Sequence, residues 1–154
     1  MKKHITLGML LAMAATAASA GPIEEQIRWR QSAYSYLSWN TAKIKKQVVD
    51  APDTYNKDYV AAAANAIAAV ANSGLGELYG EGTDKGTGWQ ETRLKPEFFQ
   101  KKDEVLPIAN SFNEAANNLA KVAATGDKEA IKTAFSKVTE TCKSCHDLIR
   151  IKKE

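Results

Sequence analysis

The residue types best able to carry chemistry in this chain are two cysteines and a histidine close to the C-terminus. They occupy the segment Cys142-Lys143-Ser144-Cys145-His146. On a helix these three side chains project to one side, because spacings of three and four residues return to the same face. Two thiols at this spacing, followed directly by an imidazole, form the attachment signal for a c-type haem. The thiols can bond to the vinyl groups of the porphyrin while the imidazole reaches the iron from one face.

The same motif has two other interpretations, a redox dithiol or disulfide and one half of a zinc site. A redox dithiol of this type is expected within a βαβ pattern, and no strand-like alternation precedes Cys142. A zinc site needs four good ligands, yet the chain has no other cysteine and only one other histidine, His4. The motif therefore predicts covalently attached haem c, one per chain.

The first 20 residues have the pattern of a secretory signal peptide. A basic start at Lys2 and Lys3 precedes an apolar run over residues 5–18, which ends in the small residues Ala-Ser-Ala. This pattern predicts cleavage before Gly21 and export to a bacterial periplasm, the compartment where haem is joined to thiols. A membrane anchor is the other interpretation, but it needs a longer apolar span and would lack the small-residue ending.

Cleavage would leave one domain over residues 21–154 with almost no net charge. The full chain of 154 residues has a formal charge of +3, and loss of two lysines lowers that charge to +1. With no net basic field, we expect neither nucleic acid nor a membrane surface as a partner. All three methionines and His4 are lost with the same segment.

Four amphipathic segments, and no segment with strand periodicity, predict an all-α fold. We expect helices over residues 23–49 and 57–71, from Asp103 to Thr125, and from Asp127 through the haem motif. The connections are short apart from a glycine-heavy stretch over residues 74–88, which is typical of an antiparallel four-helix bundle.

The glycine-heavy stretch could be a flexible linker, but a chain of this size favours a long crossover loop within one domain. The residues expected to pin this loop to the core are Leu75, Leu78, Tyr79 and Trp89. The apolar stripes expected to face inward include Ile108, Phe112, Ala115, Leu119 and Val122 on the third helix. The stripe on the fourth is Ile131, Phe135, Val138, Cys142, Cys145 and Ile149, which places the haem motif on its inward face.

After loss of the signal peptide, the chain offers the iron few conventional ligands, because His146 is the only histidine and no methionine remains. Electron-transfer haems of this type usually have methionine or histidine on the second face. Lysine or tyrosine could substitute, but both are weak ligands while protonated at neutral pH. We therefore predict five-coordinate, high-spin iron with His146 on the proximal face and an open distal face.

Tyr34, beside Leu37 on the inward stripe of the first helix, is the candidate for the space above the open face. Its ring could shield the iron, and its phenol could form a hydrogen bond with a bound ligand. A tyrosine at helical spacing is also commonly a plain core residue, and the residues alone favour neither interpretation.

The chain resembles the cytochrome c′ family of class II c-type cytochromes. The haem motif is followed by Asp147 and Arg150 and lies at the C-terminal end, with eight residues after His146, whereas class I proteins attach haem near the N-terminus. Further matching segments are Arg30-Gln31-Ser32-Ala33, residues 78–83 and Lys95-Pro96-Glu97-Phe98. The chain departs from the family at Gly76 and Phe99, where the family often has tryptophan.

The resemblance implies thioether bonds at Cys142 and Cys145, iron ligation by His146 and a place for Tyr34 directly over the iron. It also implies that Arg150 lies beside the proximal face, where it could tune the histidine or hold a second ligand. Compensation of the helix dipole is the other interpretation of Arg150.

The resemblance further implies contacts with the rim of the haem. The residues concerned are Arg30 and Gln31, beside the propionates, and Glu91 and Thr92, at the haem edge. A guanidinium and an amide donor suit the carboxylates of propionates.

The function implied by the resemblance is binding of nitric oxide or carbon monoxide at the open iron. Electron transfer with an unidentified periplasmic partner is an accompanying or alternative role. The family usually pairs two chains through the first two helices, so we expect a homodimer. No general acid–base pair or nucleophile lies beside the motif, and we do not expect an enzyme.

Overall fold

A computed structural model describes residues 22–152, and the predicted signal peptide lies outside these residues. The predicted four-helix bundle is confirmed. Its helices are α1 (Ile23–Lys45), α2 (Lys57–Ala71), α3 (Lys102–Ala123) and α4 (Lys128–Ile149). Consecutive helices pack against each other in the order α1–α2–α3–α4. Within residues 22–152, the only β pairing consists of two isolated bridges.

The main core lies between all four helices and consists of aliphatic residues, alanines and one phenylalanine. Its largest buried members are Leu37, Ile44, Val60, Ile67, Leu119, Ile131, Phe135 and Val138. Small residues on α2, such as Ala63 and Ala64, are fully buried, which lets the α2 backbone approach its neighbours closely. The predicted stripe of α3 faces the core, with Leu119 buried and Phe112, Ala115 and Val122 packed against it, and the buried face also includes Ala116 and Ala123.

The ends of the helices agree closely with the expected ones. The α1 helix continues as one π-helical turn, Lys46–Asp50. The ammonium of Lys45, just before this turn, lies 2.7 Å from the Asp50 carboxylate. The carboxylate of Asp127 caps α4 by accepting hydrogen bonds from the first backbone N–H groups, at 3.1 Å. Gly126 precedes it with φ of +83°, a conformation that favours glycine. These signals fix where α4 begins and hence which of its faces turns inward.

The crossover between α2 and α3 contains short 3₁₀ turns at Leu75–Leu78 and Pro96–Gln100. Leu75 and Tyr79 pack against apolar clusters, as predicted. The prediction for Trp89 is wrong, because this side chain is 69% exposed. Its indole N–H donates to the Ser32 hydroxyl at 2.7 Å, and the Arg28 guanidinium carbon lies 5.3 Å from the ring centroid. Trp89 thus holds the crossover to the outer surface of α1 by polar contacts.

A second, smaller apolar cluster joins the crossover to the end of α4. This C-terminal cluster has Leu94, Phe98 and Ile149 at its centre, with Tyr79, Phe99, Val105, Cys145 and Leu148 around them. The backbone N–H of Lys95 donates to the Ile149 carbonyl, and that of Ile151 donates to the Arg93 carbonyl, both at 2.8 Å. The crossover and the last turn of α4 are therefore held side by side.

Candidate haem site

The two cysteines of α4 lie where the two apolar clusters meet. Cys142 packs against the main core and Cys145 against the C-terminal cluster, and both are half-buried free thiols. A flat apolar group bonded to both sulfurs would therefore contact both clusters. The residues present fit a haem held by two thioether bonds.

The surroundings of these thiols bear on the two other interpretations of the motif. Burial raises the pKa of both Cys142 and Cys145, so the protein around them does not activate either thiol as a thiolate. Among residues 22–152, no group of three histidine, cysteine or acidic side chains is arranged to hold a metal ion. A dithiol or zinc centre finds no support in this geometry.

His146 is exposed, and the surface around it carries several positive charges. Its exposed imidazole lines a pocket of about 310 Å³ together with Arg93, Asp147, Arg150, Ile151 and Lys152. Partial desolvation lowers the pKa of His146, and the charge of Arg93 lowers it further, against an opposing effect of Asp147. The neutral imidazole, which is the form that binds iron, is thereby favoured. The structure places Arg150 beside His146, and its contact with haem stays a prediction.

Tyr34 of α1 lies near both thiols. Burial is the main cause of the raised pKa of its phenol, and the charges of Cys145 and Cys142 contribute to the same shift. The Tyr34 oxygen accepts a hydrogen bond from the Tyr79 hydroxyl at 2.9 Å. The site therefore includes Tyr79, which the sequence indicated only as an anchor of the loop.

Arg30 is buried one turn before Tyr34, at 6% exposure. Its guanidinium donates four hydrogen bonds to neutral acceptors. These are the Leu78 carbonyl at 2.9 Å, the Thr83 hydroxyl at 3.0 Å, the Thr83 carbonyl at 2.8 Å and the Thr92 hydroxyl at 3.0 Å. The Tyr79 ring centroid lies 4.6 Å from the guanidinium carbon.

The charge of Arg30 has no protein partner in the part of the chain described, where none of the salt bridges includes it. Buried charges in proteins are normally paired, and burial lowers the pKa of Arg30. The four bonds use the two terminal nitrogens and leave the Nε–H group. A carboxylate of a bound cofactor would supply the missing negative charge, so the donor set fits a haem propionate.

The other residues predicted to contact the rim of the haem belong to, or bind, the crossover between α2 and α3. The Gln31 amide nitrogen donates to the Gln90 carbonyl at 2.8 Å, and its oxygen accepts from the Trp89 backbone N–H at 2.7 Å. Thr92 is buried beneath Arg30, and Glu91 is exposed. The contacts of Gln31, Glu91 and Thr92 with haem stay predictions.

A half-buried Cys-x-x-Cys-His motif on the last helix of a four-helix bundle defines a c-type cytochrome of the helical-bundle class. The family model for cytochrome c′ matches residues 25–150. The chain belongs to the cytochrome c′ family, as its sequence predicted, and carries the covalently bound haem c of that family.

Relatives of the chain agree with this assignment along most of its length. The cytochrome c′ of Allochromatium vinosum is 53% identical over 145 residues, which is 94% of this chain and 92% of that protein. A solved cytochrome c′ structure, described as showing an unusual ligand-controlled dimer dissociation, is 54% identical with a TM-score of 0.81 and is matched over 86% of this chain and 100% of that one. The cytochrome c′ structure of Thermochromatium tepidum is 47% identical, with a TM-score of 0.80 over 88% of this chain and 100% of that one.

Proposed function

We propose that this chain is a periplasmic haem protein that binds nitric oxide or carbon monoxide at five-coordinate, high-spin iron. Cys142 and Cys145 hold the haem, His146 is the axial ligand, and the opposite coordination position lies open under Tyr34. The haem supplies the iron that binds the gas, and the protein controls access to it.

The observation that carries this proposal is the place of Tyr34, whose buried phenol lies near Cys142 and Cys145. Burial raises the pKa of this phenol, which further favours its neutral form. Tyrosine binds haem iron well only as a phenolate, so a phenol at this place leaves the coordination position open. Among residues 22–152 there is no methionine and no second histidine to occupy it.

An optical spectrum of the purified protein tests the coordination of the iron. We expect a five-coordinate high-spin spectrum in the ferrous state, and a shift when nitric oxide or carbon monoxide is added. A low-spin, six-coordinate spectrum without added ligand would contradict the proposal.

The role of Tyr34 is tested by the rate at which carbon monoxide associates with the ferrous protein. We expect Tyr34→Ala to speed association, because the ring no longer covers the iron. The matched control is Tyr55→Ala, which removes a tyrosine ring next to Gly126, before the start of α4, and should leave the rate unchanged. Equal rates in wild type and Tyr34→Ala would refute the distal placement of Tyr34.

Electron transfer is a second candidate function, and the pocket around His146 favours it. Arg93, Arg150 and Lys152 surround the exposed imidazole, and such a cationic surface attracts an acidic redox partner or an anionic reductant. We expect an anionic small-molecule reductant to reduce the iron more slowly as salt is added, while a neutral one does not respond. Equal salt dependence for the two reductants would argue against this role.

We propose that two copies pair through α1 and α2, where large aromatic side chains are exposed. Trp29 is 58% exposed, Tyr36 48%, Trp39 55% and Tyr59 44%. The ligand-controlled dimer dissociation attributed to the related structure supports a dimer here. Sedimentation should show a dimer that Trp39→Glu weakens, whereas Trp89→Glu, on the crossover, should not. A monomeric wild type would contradict the pairing.

We also propose export through a signal peptide over residues 1–20. No helix within residues 22–152 is long and apolar enough to cross a membrane. The mass of the protein isolated from the periplasm should correspond to a chain that begins at Gly21. A mass that includes Met1 would contradict cleavage.

A further inference from the structure

Tyr79 connects two side chains of α1 that lie one turn apart. Its ring lies over the Arg30 guanidinium at 4.6 Å, and its hydroxyl donates to the Tyr34 oxygen at 2.9 Å. The ring of Tyr79 also packs against the ring of Phe98, with the two centroids 5.0 Å apart and the planes at 32°. Arg30, Phe98 and Tyr34 thus define the position of one tyrosine that belongs to the crossover.

The surroundings of Tyr79 leave its ring little freedom. The four hydrogen bonds of Arg30 run to the crossover, and one of them is accepted by the carbonyl of Leu78, which directly precedes Tyr79. A planar guanidinium held by several acceptors is a fixed platform for an aromatic ring. The contacts with Arg30 and Phe98 therefore fix the position of the Tyr79 hydroxyl next to Tyr34.

The hydrogen bond between the two phenols determines where the proton of Tyr34 can go. A phenol has one proton to donate, and Tyr79 uses its own proton in the bond to Tyr34. The oxygen of Tyr34 acts as the acceptor in that bond, so its own O–H must turn to a different acceptor. Within residues 22–152, the Tyr34 hydroxyl makes no second hydrogen bond to the protein, and the nearby groups include Cys142 and Cys145. The free O–H is available to the space beside the thiols.

We propose that Tyr79 is a positioning residue that fixes Tyr34 as a hydrogen-bond donor to the gas bound at the iron. This inference rests on the proposed function, because it assumes that the ligand binds on the Tyr34 face. A donor at this place stabilises the negative charge that a bound diatomic gains at its outer atom, so it slows release of the ligand. Arg30 acts one step further away by holding the ring of Tyr79.

The test is Tyr79→Phe, which removes one oxygen and keeps the ring between Arg30 and Phe98. Complete loss of the hydrogen bond from Tyr34 to the gas, about 1 kcal/mol, would make carbon monoxide dissociate about fivefold faster, so the weakening of this bond in Tyr79→Phe should speed dissociation by up to that factor. The infrared C–O stretching band of the bound gas should move to higher frequency and broaden, because the donor is weaker and less well oriented. The matched control, Tyr55→Phe, removes a hydroxyl that bonds to the Gly126 carbonyl before the start of α4 and should leave both quantities unchanged.

A double-mutant cycle separates positioning from a general structural effect. If Tyr79 acts through Tyr34, then adding Tyr79→Phe to a Tyr34→Phe protein should change neither the C–O band nor the dissociation rate. An effect of equal size in both backgrounds would overturn the inference.

A readout without added gas comes from the ionisation of the phenols, followed by ultraviolet absorbance. The hydrogen bond from Tyr79 lowers the pKa of Tyr34 against the larger, opposite effect of burial. Tyr34 should therefore ionise at higher pH in Tyr79→Phe, and ionisation at the same pH would overturn the inference. A wild-type protein that binds no carbon monoxide would instead refute the proposed function, and the inference with it. Binding in wild type with an unchanged C–O band in Tyr79→Phe refutes the inference alone.

Discussion

The two sides of the candidate haem site differ in how their polar residues are held. On the side proposed to be distal, Arg30, Tyr79 and Tyr34 form one connected set of hydrogen bonds and ring contacts between α1 and the crossover. On the side proposed to be proximal, Arg93 and Arg150 line the pocket around His146, and neither arginine forms a salt bridge within residues 22–152. One side is buried and ordered, and the other is exposed and charged.

With the haem placed as proposed, this difference predicts that the two sides control different properties of the iron. A buried donor acts over one hydrogen-bond length, so its effect depends on exact placement and responds little to salt. Exposed charges act over several ångströms, and their effect is weak and depends on salt. We therefore expect the Tyr34 side to govern retention of a ligand, and the His146 side to govern the reduction potential and attraction of a partner.

The largest effect is expected where the two sides meet, at the thiols. Cys142→Ser together with Cys145→Ser should abolish covalent haem attachment, because the chain has no other cysteine. Haem absorbance that remains with the chain after denaturation in acid measures attachment. Ser144→Ala changes one of the two residues between the thiols without removing either thiol, and it should retain the haem. Covalent haem in the double variant would mean that the haem is not attached at Cys142 and Cys145. The two sides of the site could then not be assigned as distal and proximal.

On the distal side, Arg30→Ala should lower the free energy of unfolding by about 3 kcal/mol, because four buried acceptors lose a charged donor. Unfolding of the haem-loaded protein in urea measures this. Lys132→Ala is the control, since Lys132 is an exposed cation on α4 and its loss should cost less than about 0.5 kcal/mol. Similar costs for the two variants would mean that the distal set is not the ordered region that the contacts indicate.

The helices and the haem motif could be predicted from the sequence because their signals are local. Spacings of three and four residues place Cys142 and Cys145 on the inward face of α4, and Asp127 marks where that helix begins. On α3 the predicted stripe packs against the core, but the sequence did not show that the neighbouring Ala116 and Ala123 are buried as well.

The distal set could not be predicted because it depends on contacts between distant parts of the sequence. The bond between Tyr79 and Tyr34 spans 45 residues, and that between Arg30 and Thr92 spans 62. Glycine in the crossover permits this approach. A Cβ at Gly88 would lie 2.7 Å from the Arg28 backbone nitrogen, so only glycine fits there. Neither the course of this loop nor the exposure of Trp89 leaves a periodic signal in the sequence.

The burial of the distal phenols predicts a loss of stability at alkaline pH. Burial, the first cause of the shift, raises the pKa of Tyr79 well above its ordinary value of 10.0. The stabilisation from the protonated phenol is full below pH 10 and is lost as pH rises from there toward the folded-state pKa, because only the unfolded chain then releases the proton.

Tyr79→Phe tests this dependence because phenylalanine has no proton to lose. Each pH unit above about 10 should lower the stability of wild type by up to about 1.4 kcal/mol more than that of the variant. Urea unfolding at a series of pH values measures the difference, with Tyr36→Phe as the control. Parallel pH profiles for wild type and Tyr79→Phe would contradict the burial of this phenol.

The smallest effect is expected for the proximal charges, where Arg93→Gln should lower the reduction potential. The positive charge of Arg93 reaches His146, as its influence on the pKa of that imidazole indicates, and removing it makes an added electron less favourable. An exposed charge contributes about 0.2–1 kcal/mol, which is roughly 10–40 mV for one electron. Potentiometric titration at low salt measures the shift, and Arg28→Gln removes an equal charge far from His146 as the control.

The salt dependence of this potential shift shows whether Arg93 acts as an exposed charge or through a buried, ordered contact like those of Arg30 and Tyr79. Screening should reduce the shift caused by Arg93→Gln as ionic strength rises, because the Debye length falls from about 30 Å at 0.01 M to about 3 Å at 1 M. The effect of Tyr79→Phe on the C–O band should persist over the same range, because a buried hydrogen bond is poorly screened. A potential shift that does not change with salt would mean that Arg93 is held in a fixed, desolvated contact. The two sides would then differ in the residues they use but not in the way those residues act.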